Sequence, residues 1–359
     1  MGCFSGYKHE SFKKIILNPK VKSALQLILF AAIGVGLVWL SIHNIPDKDV
    51  ETTKQSFKDA NYTVVIISAL ISVLAHVIRA WRWDMLMQPI GHNISFKNSF
   101  TGVMIGYVVN YAVPRAGELS RCGVAAKYEK IPFAAALGTV ITERIVDVIL
   151  LLLLFFITLA VQFADLMGLT NLYVINPLSA KFGGLMHNTL YLVIIVVGLL
   201  AVAGFLFVMR NKIKSLFTGK IGGMLKSFGD GLKSVKDLKK PGLFILQSVL
   251  IWVMYFLSLY VCFFCFDETS SLGIKPALSV LLFGTIGVMV SPGGIGAYQL
   301  IGTQVLLFYQ VTNGVAVAFP WIVWGVQFIA IIVIGGLCFL FLPLLNRNKN
   351  NDLPGDTTA

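Results

Sequence analysis

Charged residues interrupt this apolar sequence at a few places where their types and spacing suit the binding of an anionic group. The first is P-R-x-G-E at 114–118, which is followed by Arg121. Because a guanidinium binds a phosphate with two parallel hydrogen bonds, Arg115 and Arg121 are candidates for holding an anionic head group. Glu118 precedes Arg121 by one helical turn. We predict that these three residues bind a substrate; the alternative is a cytoplasmic loop with a solvated salt bridge.

A second cluster, T-E-R-I-V-D-V at 142–148, places three charged residues inside a long apolar run. Glu143 and Asp147 are one helical turn apart, and Arg144 precedes Asp147 by three residues. A helix that starts at Pro132 would put Glu143 about 16 Å along its axis. Charges at such depth face the protein interior and form pairs. We predict a charge-relay or gating role for Glu143, Arg144 and Asp147, with a structural tether to Arg115 or Arg121 as the alternative.

The segment S-P-G-G-I-G-A-Y-Q at 291–299 concentrates residues that break helices between two apolar runs. Proline ends the preceding helix, and the glycines permit positive φ and close approach of backbone or substrate. The free N–H groups of the next helix start would suit a negative group. We therefore predict a second part of the substrate-binding site here, and a simple turn for helix crossing is the alternative. Its residues are Pro292, Gly293, Gly294, Gly296 and Gln299.

A fourth cluster, R-A-W-R-W at 79–83, follows an apolar run. Basic residues beside tryptophans are typical of the boundary between a membrane and the cytoplasm. We predict that Arg79, Arg82 and Trp83 anchor the chain at this interface, rather than bind a head group directly.

The composition shows which elements must position these residues. The chain has 359 residues, of which 57% are hydrophobic and 13% charged, and its mean hydropathy of +0.80 excludes a water-soluble globular domain. About 20 apolar residues cross a bilayer. Six runs are long enough: Ala24–Ile42, Tyr62–Ile78, Ile145–Phe163, Leu190–Met209, Leu243–Phe266 and Ala316–Leu344.

Two shorter apolar runs, 100–113 and 277–290, each end just before or near a proline, as re-entrant segments do. With a cytoplasmic N-terminus, 23 of the 29 lysines and arginines fall on the cytoplasmic side, in agreement with the positive-inside rule. We predict an all-α, polytopic integral membrane protein with six full spans and two oppositely oriented re-entrant helical hairpins. Three crossings per half make the chain an inverted repeat, the arrangement that places a transporter's site near the bilayer midplane.

The predicted organisation has four parts. A basic cytoplasmic N-terminus (1–22) precedes the first inverted half (23–163), which contains the hairpin 100–131. The second half (164–345) contains a basic cytoplasmic loop (210–240) and the hairpin 277–308. A disordered cytoplasmic tail (346–359) ends the chain. Both termini are then cytoplasmic.

The charge and motif content favours a lipid-binding protein over an enzyme. The net charge of +12 is concentrated in short loops, which indicates anionic lipid head groups as partners and not nucleic acid. No metalloprotease, hydrolase or acidic metal motif occurs, so we expect no catalytic residues, no metal and no cofactor. Cys262 and Cys265 form a C-x-x-C inside an apolar run, and we interpret them as packing residues.

Taken together and in this order, R-x-x-R-W, P-R-x-G-E, E-R-x-x-D and S-P-G-G-x-G resemble the lysylphosphatidylglycerol synthase transmembrane domain over about residues 20–345. The resemblance implies a flippase-like domain of the inner (cytoplasmic) membrane that moves lipids between leaflets. The chain ends at Ala359 without an aminoacyl-transferase domain, so we expect a stand-alone member. It has Gln299 where we expect the family to favour glutamate.

The function we expect is a lipid flippase or transporter that moves a phospholipid or other amphiphile with an anionic head group. An integral-membrane lipid-modifying transferase or hydrolase, and an envelope-lipid scaffold without transport, are the alternatives. A homo-oligomer or a lipid-synthesis enzyme as partner is compatible with each.

Overall fold

The computed structural model describes residues 36–40, 43, 47–113, 116–162 and 238–347. The chain divides into two compact units, residues 1–143 with 238–359, and residues 144–237. The described residues contain helices and connecting turns and no strands. The main helices are α1 (Asp47–Asp59), α2 (Tyr62–Met87), α3 (Phe96–Ala112), α4 (Ala116–Glu129), α5 (Phe133–Val161), α6 (Pro241–Cys262), α7 (Ile274–Val290), α8 (Ala297–Phe308) and α9 (Asn313–Leu345).

Four helices of the described ranges are long and apolar enough to cross a bilayer: Tyr62–Ile90, Phe133–Val161, Pro241–Cys265 and Asn313–Leu345. Each includes or overlaps a run that the sequence predicted to span, which agrees with a membrane protein of several spans. The predicted spans 24–42 and 190–209 lie outside the described residues, apart from the helical stretch 36–40.

Helix α2 is longer than the apolar run that predicts it. It begins at an N-cap, where Asn61 Oδ1 accepts hydrogen bonds from the N–H groups of Thr63 (3.1 Å) and Val64 (3.4 Å). It ends only at Met87, nine residues beyond the predicted end at Ile78. The basic cluster at 79–83 therefore lies within this helix and not in a loop after it.

Helices α3 and α4 form an antiparallel pair, called here the first pair. Near its closed end, a β-carbon placed on Gly106 would lie 2.9 Å from the carbonyl oxygen of Gly117. At the other end, Asn98 Nδ2 donates to Glu129 Oε1 over 2.7 Å. Because both residues at the close contact are glycines, the two backbones approach each other closely.

Helices α7 and α8 form a second antiparallel pair. At its open end, the hydroxyl groups of Ser279 and Tyr309 are hydrogen-bonded at 2.9 Å. Toward its closed end, a β-carbon on Gly287 would lie 3.0 Å from the backbone nitrogen of Tyr298. A 3₁₀ turn at Pro292–Gly294 joins the two helices, and α8 ends at Phe308, as predicted.

The closed ends of the two pairs meet. The ring of Tyr111, in the last turn of α3, occupies the space where Gly293 would carry a side chain. Gly293 has φ 58, and its carbonyl oxygen accepts a 2.8 Å hydrogen bond from the indole of Trp324 on α9. The ring of Phe328 lies 4.9 Å from that of Tyr111. Helix α9 therefore packs against the point where the two pairs touch.

The two long helices α2 and α6 are joined by reciprocal hydrogen bonds. Ser68 Oγ donates to the carbonyl oxygen of Ser258 (2.7 Å), and Ser258 Oγ donates to that of Ser68 (2.8 Å). The order of elements is also repeated, because α2, the first pair and α5 correspond to α6, the second pair and α9. Helices α3 and α7 both have 17 residues.

Candidate functional site

A buried group of four charged side chains lies where α2, α4 and α5 meet, and we call it the Glu143 cluster. Arg79 Nη1 is 2.6 Å from Glu143 Oε1, and Arg82 Nη2 is 3.1 Å from the same oxygen. Arg121 Nη2 is 2.9 Å from Oε2, and its Nη1 is 3.3 Å from Oε1. Arg82 and Glu143 are fully buried. Three guanidinium groups thus converge on one carboxylate.

Neighbouring side chains fix the orientation of these arginines. Arg82 Nη1 donates to Ser248 Oγ on α6 over 3.0 Å. The Arg121 guanidinium lies 3.8 Å from the ring centroid of Trp83, a cation–π geometry. The indole N–H of Trp83 donates to Thr139 Oγ1 over 2.9 Å. The cluster therefore ties together four helices, α2, α4, α5 and α6.

The sequence spacing explains how α2 supplies two of the arginines. Arg79, Arg82 and Trp83 are separated by three and four residues, so they share one helical face. Burial of ions in an apolar interior costs free energy that is recovered only by pairing and hydrogen bonding. Pairing with Glu143 allows Arg79 and Arg82 to be buried inside the protein.

These positions correct the predicted interface anchors. We expected Arg79, Arg82 and Trp83 to lie at the membrane boundary, but their exposed fractions are 4%, 0% and 0%. The prediction failed because α2 continues past the apolar run, and because the carboxylate that draws the arginines inward comes from a distant part of the chain. Trp81 on the same helix is 52% exposed.

A polar and aromatic group continues from the Glu143 cluster along α2. The ring of His76 lies 4.6 Å from that of Tyr107 on α3 and 6.2 Å from that of Tyr255 on α6. The sequence pattern did not lead us to predict a role for these residues. A usable signal was present, since His76, Arg79 and Trp83 follow the three- and four-residue spacing of one helical face.

Only part of the predicted site in the first pair falls within the described residues. Pro114 and Arg115 lie outside them. Arg121 is buried and binds Glu143, which is the tether that was considered as the alternative to a relay. Glu118 is partly buried in the first turn of α4. The structure therefore brings Arg121 and Glu143 together and gives no position for Arg115.

Arg144 and Asp147 belong to the unit of residues 144–237 and are described separately. Arg144 Nη1 lies 3.7 Å from Asp147 Oδ2, three residues along α5. The predicted pairing between these two residues is present. Glu143, which the sequence grouped with them, has its own ion pairs with arginines of α2 and α4.

The second pair places Gln299 in a fully buried position. Neither its amide oxygen nor its amide nitrogen has a hydrogen-bond partner among the described residues, and the same holds for Ser291 Oγ. Ser291 is 4% exposed and ends α7, while Gln299 lies in the first turn of α8. The closed end of this pair thus contains three buried polar atoms with unused hydrogen-bonding capacity.

The predicted substrate role of the nearby glycines fits the structure less well. The space beside Gly293 is filled by the Tyr111 ring, and a β-carbon on Gly296 would lie 2.5 Å from Leu37 Cβ. A β-carbon on Gly294 would lie 3.0 Å from Val288 Cγ2. The close approach that these glycines permit is therefore made by the protein itself. Pro292 is described only in its backbone.

Comparison with known proteins finds similarity to membrane proteins of two organisms. The chain is 24% identical over 360 residues to the UPF0104 membrane protein PH1989 of Pyrococcus horikoshii, covering 89% of this chain and 97% of that protein. It is 23% identical over 299 residues to the UPF0104 membrane protein MJ1595 of Methanocaldococcus jannaschii, covering 79% of this chain and 86% of that protein. No solved structure matches the chain.

A family model extends over most of the helices described above. The model for the lysylphosphatidylglycerol synthase TM region matches residues 25–335. This range contains α1 to α8, both helix pairs, the whole Glu143 cluster and most of α9. With the ordered motifs of the sequence in their places along these helices, the chain is a membrane protein that belongs to the lysylphosphatidylglycerol synthase TM region family.

Proposed function

We propose that this protein moves a phospholipid or other amphiphile with an anionic head group between the leaflets of the inner (cytoplasmic) membrane. The polar head would cross through the protein between the two helix pairs while the acyl chains stay in the bilayer. Transport of this kind requires a polar path through the hydrocarbon region and a way to open it alternately to each side.

The observation that carries the proposal is the contact between the closed ends of the two pairs, at Tyr111 and Gly293. Irregular backbone at membrane depth is tolerated only where it is buried in protein or lines a water-filled cavity. Short, broken helices in matching places of two halves are the best sequence indication of a transporter's binding site. The repeated order of elements supports the same interpretation.

The positive charge of the Glu143 cluster supports the proposal that the transported head group is anionic. Three guanidinium groups face one carboxylate in a buried place, and Arg115 follows the closed end of the first pair in sequence. Cationic groups in surroundings of low dielectric attract a phosphate more strongly than they do in water. In our proposal Arg115 contacts the head group, while Arg121 and Glu143 hold α4 in place behind it.

The membrane arrangement belongs to the same proposal. The two pairs are re-entrant hairpins that enter from opposite faces, six helices span, and both termini are cytoplasmic. Alternating access then comes from one half rocking against the other, with the reciprocal Ser68–Ser258 contact between α2 and α6 at their boundary.

The test is leaflet exchange of a labelled lipid in reconstituted vesicles. Phosphatidylglycerol with a fluorophore on one acyl chain is placed in both leaflets, and a membrane-impermeant reductant quenches the outer leaflet. Vesicles with the wild-type protein should lose fluorescence beyond the outer-leaflet fraction, because inner-leaflet lipid is brought outward. Arg115→Ala should abolish this second phase.

Lys127→Ala is the matched control. The substitution removes one positive charge from α4 of the same pair, as Arg115→Ala removes one nearby. Because Lys127 is exposed, lipid exchange should continue at the wild-type rate. Identical traces from empty vesicles and wild-type vesicles would contradict the proposal. Chemical conversion of the lipid, read by mass spectrometry of the same samples, would instead favour a lipid-modifying enzyme.

A further inference from the structure

The second pair differs from the rest of the proposed path in carrying a single charged residue, Lys275 in the first turn of α7. Residues 276–345 contain no aspartate, glutamate, lysine, arginine or histidine. Yet Ser291 Oγ and both amide atoms of Gln299 are buried without hydrogen-bond partners among the described residues. A buried, unpartnered polar group costs about 1–3 kcal/mol, so its presence inside an apolar pair needs a reason.

These polar atoms lie at the same closed end. Ser291 ends α7, and its carbonyl oxygen accepts a hydrogen bond from the N–H of Gly294 over 3.0 Å. The first turn of α8 packs on Gly287, one turn before Ser291. Gln299 is the third residue of α8, and side chains of a helix lean toward its N-terminus. The Cα–Cβ bond of Gln299 is therefore tilted toward the turn that contains Ser291.

The N-terminus of α8 has no side-chain cap, because its N-cap residue is Gly296. Gln299 is placed where a capping-box residue would reach back to the N-cap N–H, but it makes no such bond. The buried side-chain atoms of α7, α8 and their turn that lack partners among the described residues are thus one amide donor, one amide acceptor and one hydroxyl, all uncharged.

That set of atoms selects a ligand class. A phosphate only accepts hydrogen bonds and would leave Gln299 Oε1 without a partner, while an ammonium only donates and would leave Nε2 without one. A hydroxyl both donates and accepts, and two neighbouring hydroxyls satisfy both amide atoms.

We propose that Ser291 and Gln299 form a subsite for the neutral, hydroxyl-bearing part of a lipid head group, such as a glycerol or sugar moiety. The inference rests on the proposed function, because it places this subsite on the path of the transported head. The anionic part of the same head is then bound near the first pair, so each pair recognises a different chemical feature of one lipid.

The experiment measures binding, not transport. Detergent-purified protein is mixed with equal amounts of phosphatidylglycerol, whose head carries two alcohol hydroxyls, and phosphatidic acid of the same acyl chains, which has no alcohol hydroxyl. Native mass spectrometry counts the two bound lipids. We expect the wild type to prefer phosphatidylglycerol. Gln299→Leu should reduce the ratio of bound phosphatidylglycerol to bound phosphatidic acid about tenfold, the equivalent of about two lost hydrogen bonds. Ser291→Ala should reduce it to a smaller extent.

Gln304→Leu is the matched control, since Gln304 lies on the same helix but is exposed; it should keep the wild-type ratio. A further arm adds free glycerol, which has the hydroxyls without the acyl chains and should not displace the lipid at equal concentration. Displacement would assign the subsite to a soluble polyol and overturn the lipid assignment.

An equal ratio in the wild type and in Gln299→Leu would overturn the subsite, because the two buried residues would then hold only water. Failure of the proposed function would give a different result from failure of the subsite. Leaflet exchange would then be absent, but the wild type would still prefer phosphatidylglycerol and Gln299→Leu would still lose that preference.

Discussion

The two helix pairs have similar backbone geometry but differ in the charge of their side chains. Each is antiparallel, each begins with a helix of 17 residues, and their closed ends touch at Tyr111 and Gly293. The first pair is rich in charge: Glu129 accepts a hydrogen bond from Asn98 between its two helices, and Arg121 ties α4 to Glu143 of α5. The second pair has one charged residue, Lys275 in the first turn of α7, and is held by tight packing around Gly287 and by the Ser279–Tyr309 hydroxyl pair.

This difference indicates that the polar side chains of the first pair stabilise the fold, whereas those at the closed end of the second pair bind a ligand. Arg121 and Glu129 of the first pair make polar contacts that fix helices to one another, so their removal should cost stability. The polar side chains at the closed end of the second pair fix nothing, since Gln299 and Ser291 have no described partners. Their removal should change ligand binding while leaving the fold intact or more stable.

The largest expected effect is on the first pair, from Glu143→Gln. The substitution leaves three buried guanidinium groups without their carboxylate, and breaking a buried ion pair by removing one partner costs about 3–5 kcal/mol. The unfolding midpoint in detergent should fall steeply, or folded protein should fail to accumulate. Glu51→Gln is the control: its pair with Lys54 at 3.3 Å is exposed, so little change is expected. Equal midpoints for the two variants would refute the role of the cluster.

A smaller loss is expected from Gly117→Ala, which tests the close backbone contact of the first pair. The added β-carbon would overlap the carbonyl oxygen of Gly106, and because that atom belongs to the backbone it cannot move aside cheaply. Overpacking of this kind costs about 1–3 kcal/mol. Gly123→Ala on the same helix meets nothing within 4 Å and should stabilise α4 slightly. Thermal unfolding of both variants should show shifts of opposite sign.

In the second pair, Gln299→Leu should raise stability by about 1 kcal/mol. It replaces a buried amide that lacks partners within the described part of the chain with an apolar side chain of similar size, which removes a desolvation cost. A higher midpoint of thermal unfolding in detergent, measured without added lipid, checks this. A clear decrease would mean that the amide is already satisfied in the folded protein. The expected gain would distinguish Gln299 from Glu143, whose replacement by a neutral residue should destabilise.

The smallest expected effect is from Tyr309→Phe at the open end of the second pair. It removes the hydroxyl that bonds to Ser279 at 2.9 Å, and hydrogen bonds between helices of a membrane protein contribute about 0.6 kcal/mol on average. The midpoint should shift only slightly, and Ser279→Ala should add little in the double variant because both remove the same bond. Additive losses would show that each hydroxyl acts separately.

The sequence predicted where the helices of this fold lie better than it predicted which helices contact one another. The apolar lengths and the prolines predicted helices near those at α2, α5, α6 and α9, and the two short helices α3 and α7. Those features are local, since an apolar run of a given length needs a helix of that length in a bilayer. The end of α2 was misplaced because Arg79 and Arg82 read as the polar limit of a span.

The candidate site was predicted in its residue types but not in its pairings. Glu143 and Arg121 were chosen from their depth and spacing, and the structure brings them together. Arg79 and Arg82 were assigned to the interface, because charge next to tryptophan is the ordinary composition of a membrane boundary. Whether such residues face head groups or protein depends on what packs against that face of the helix, which the local pattern does not contain.

The amino-acid sequence by itself determined that this chain is a helical membrane protein, where most of its described helices lie, and where proline and glycine interrupt them. These properties follow from solvent transfer and backbone sterics, which act over a few residues. Only the tertiary structure decided that Glu143 binds arginines 64 and 22 residues away in the chain, and that Gln299 is buried without a partner among the residues that the structure describes. Such choices depend on which helix faces meet, and burial then makes each pairing, or its absence, energetically important.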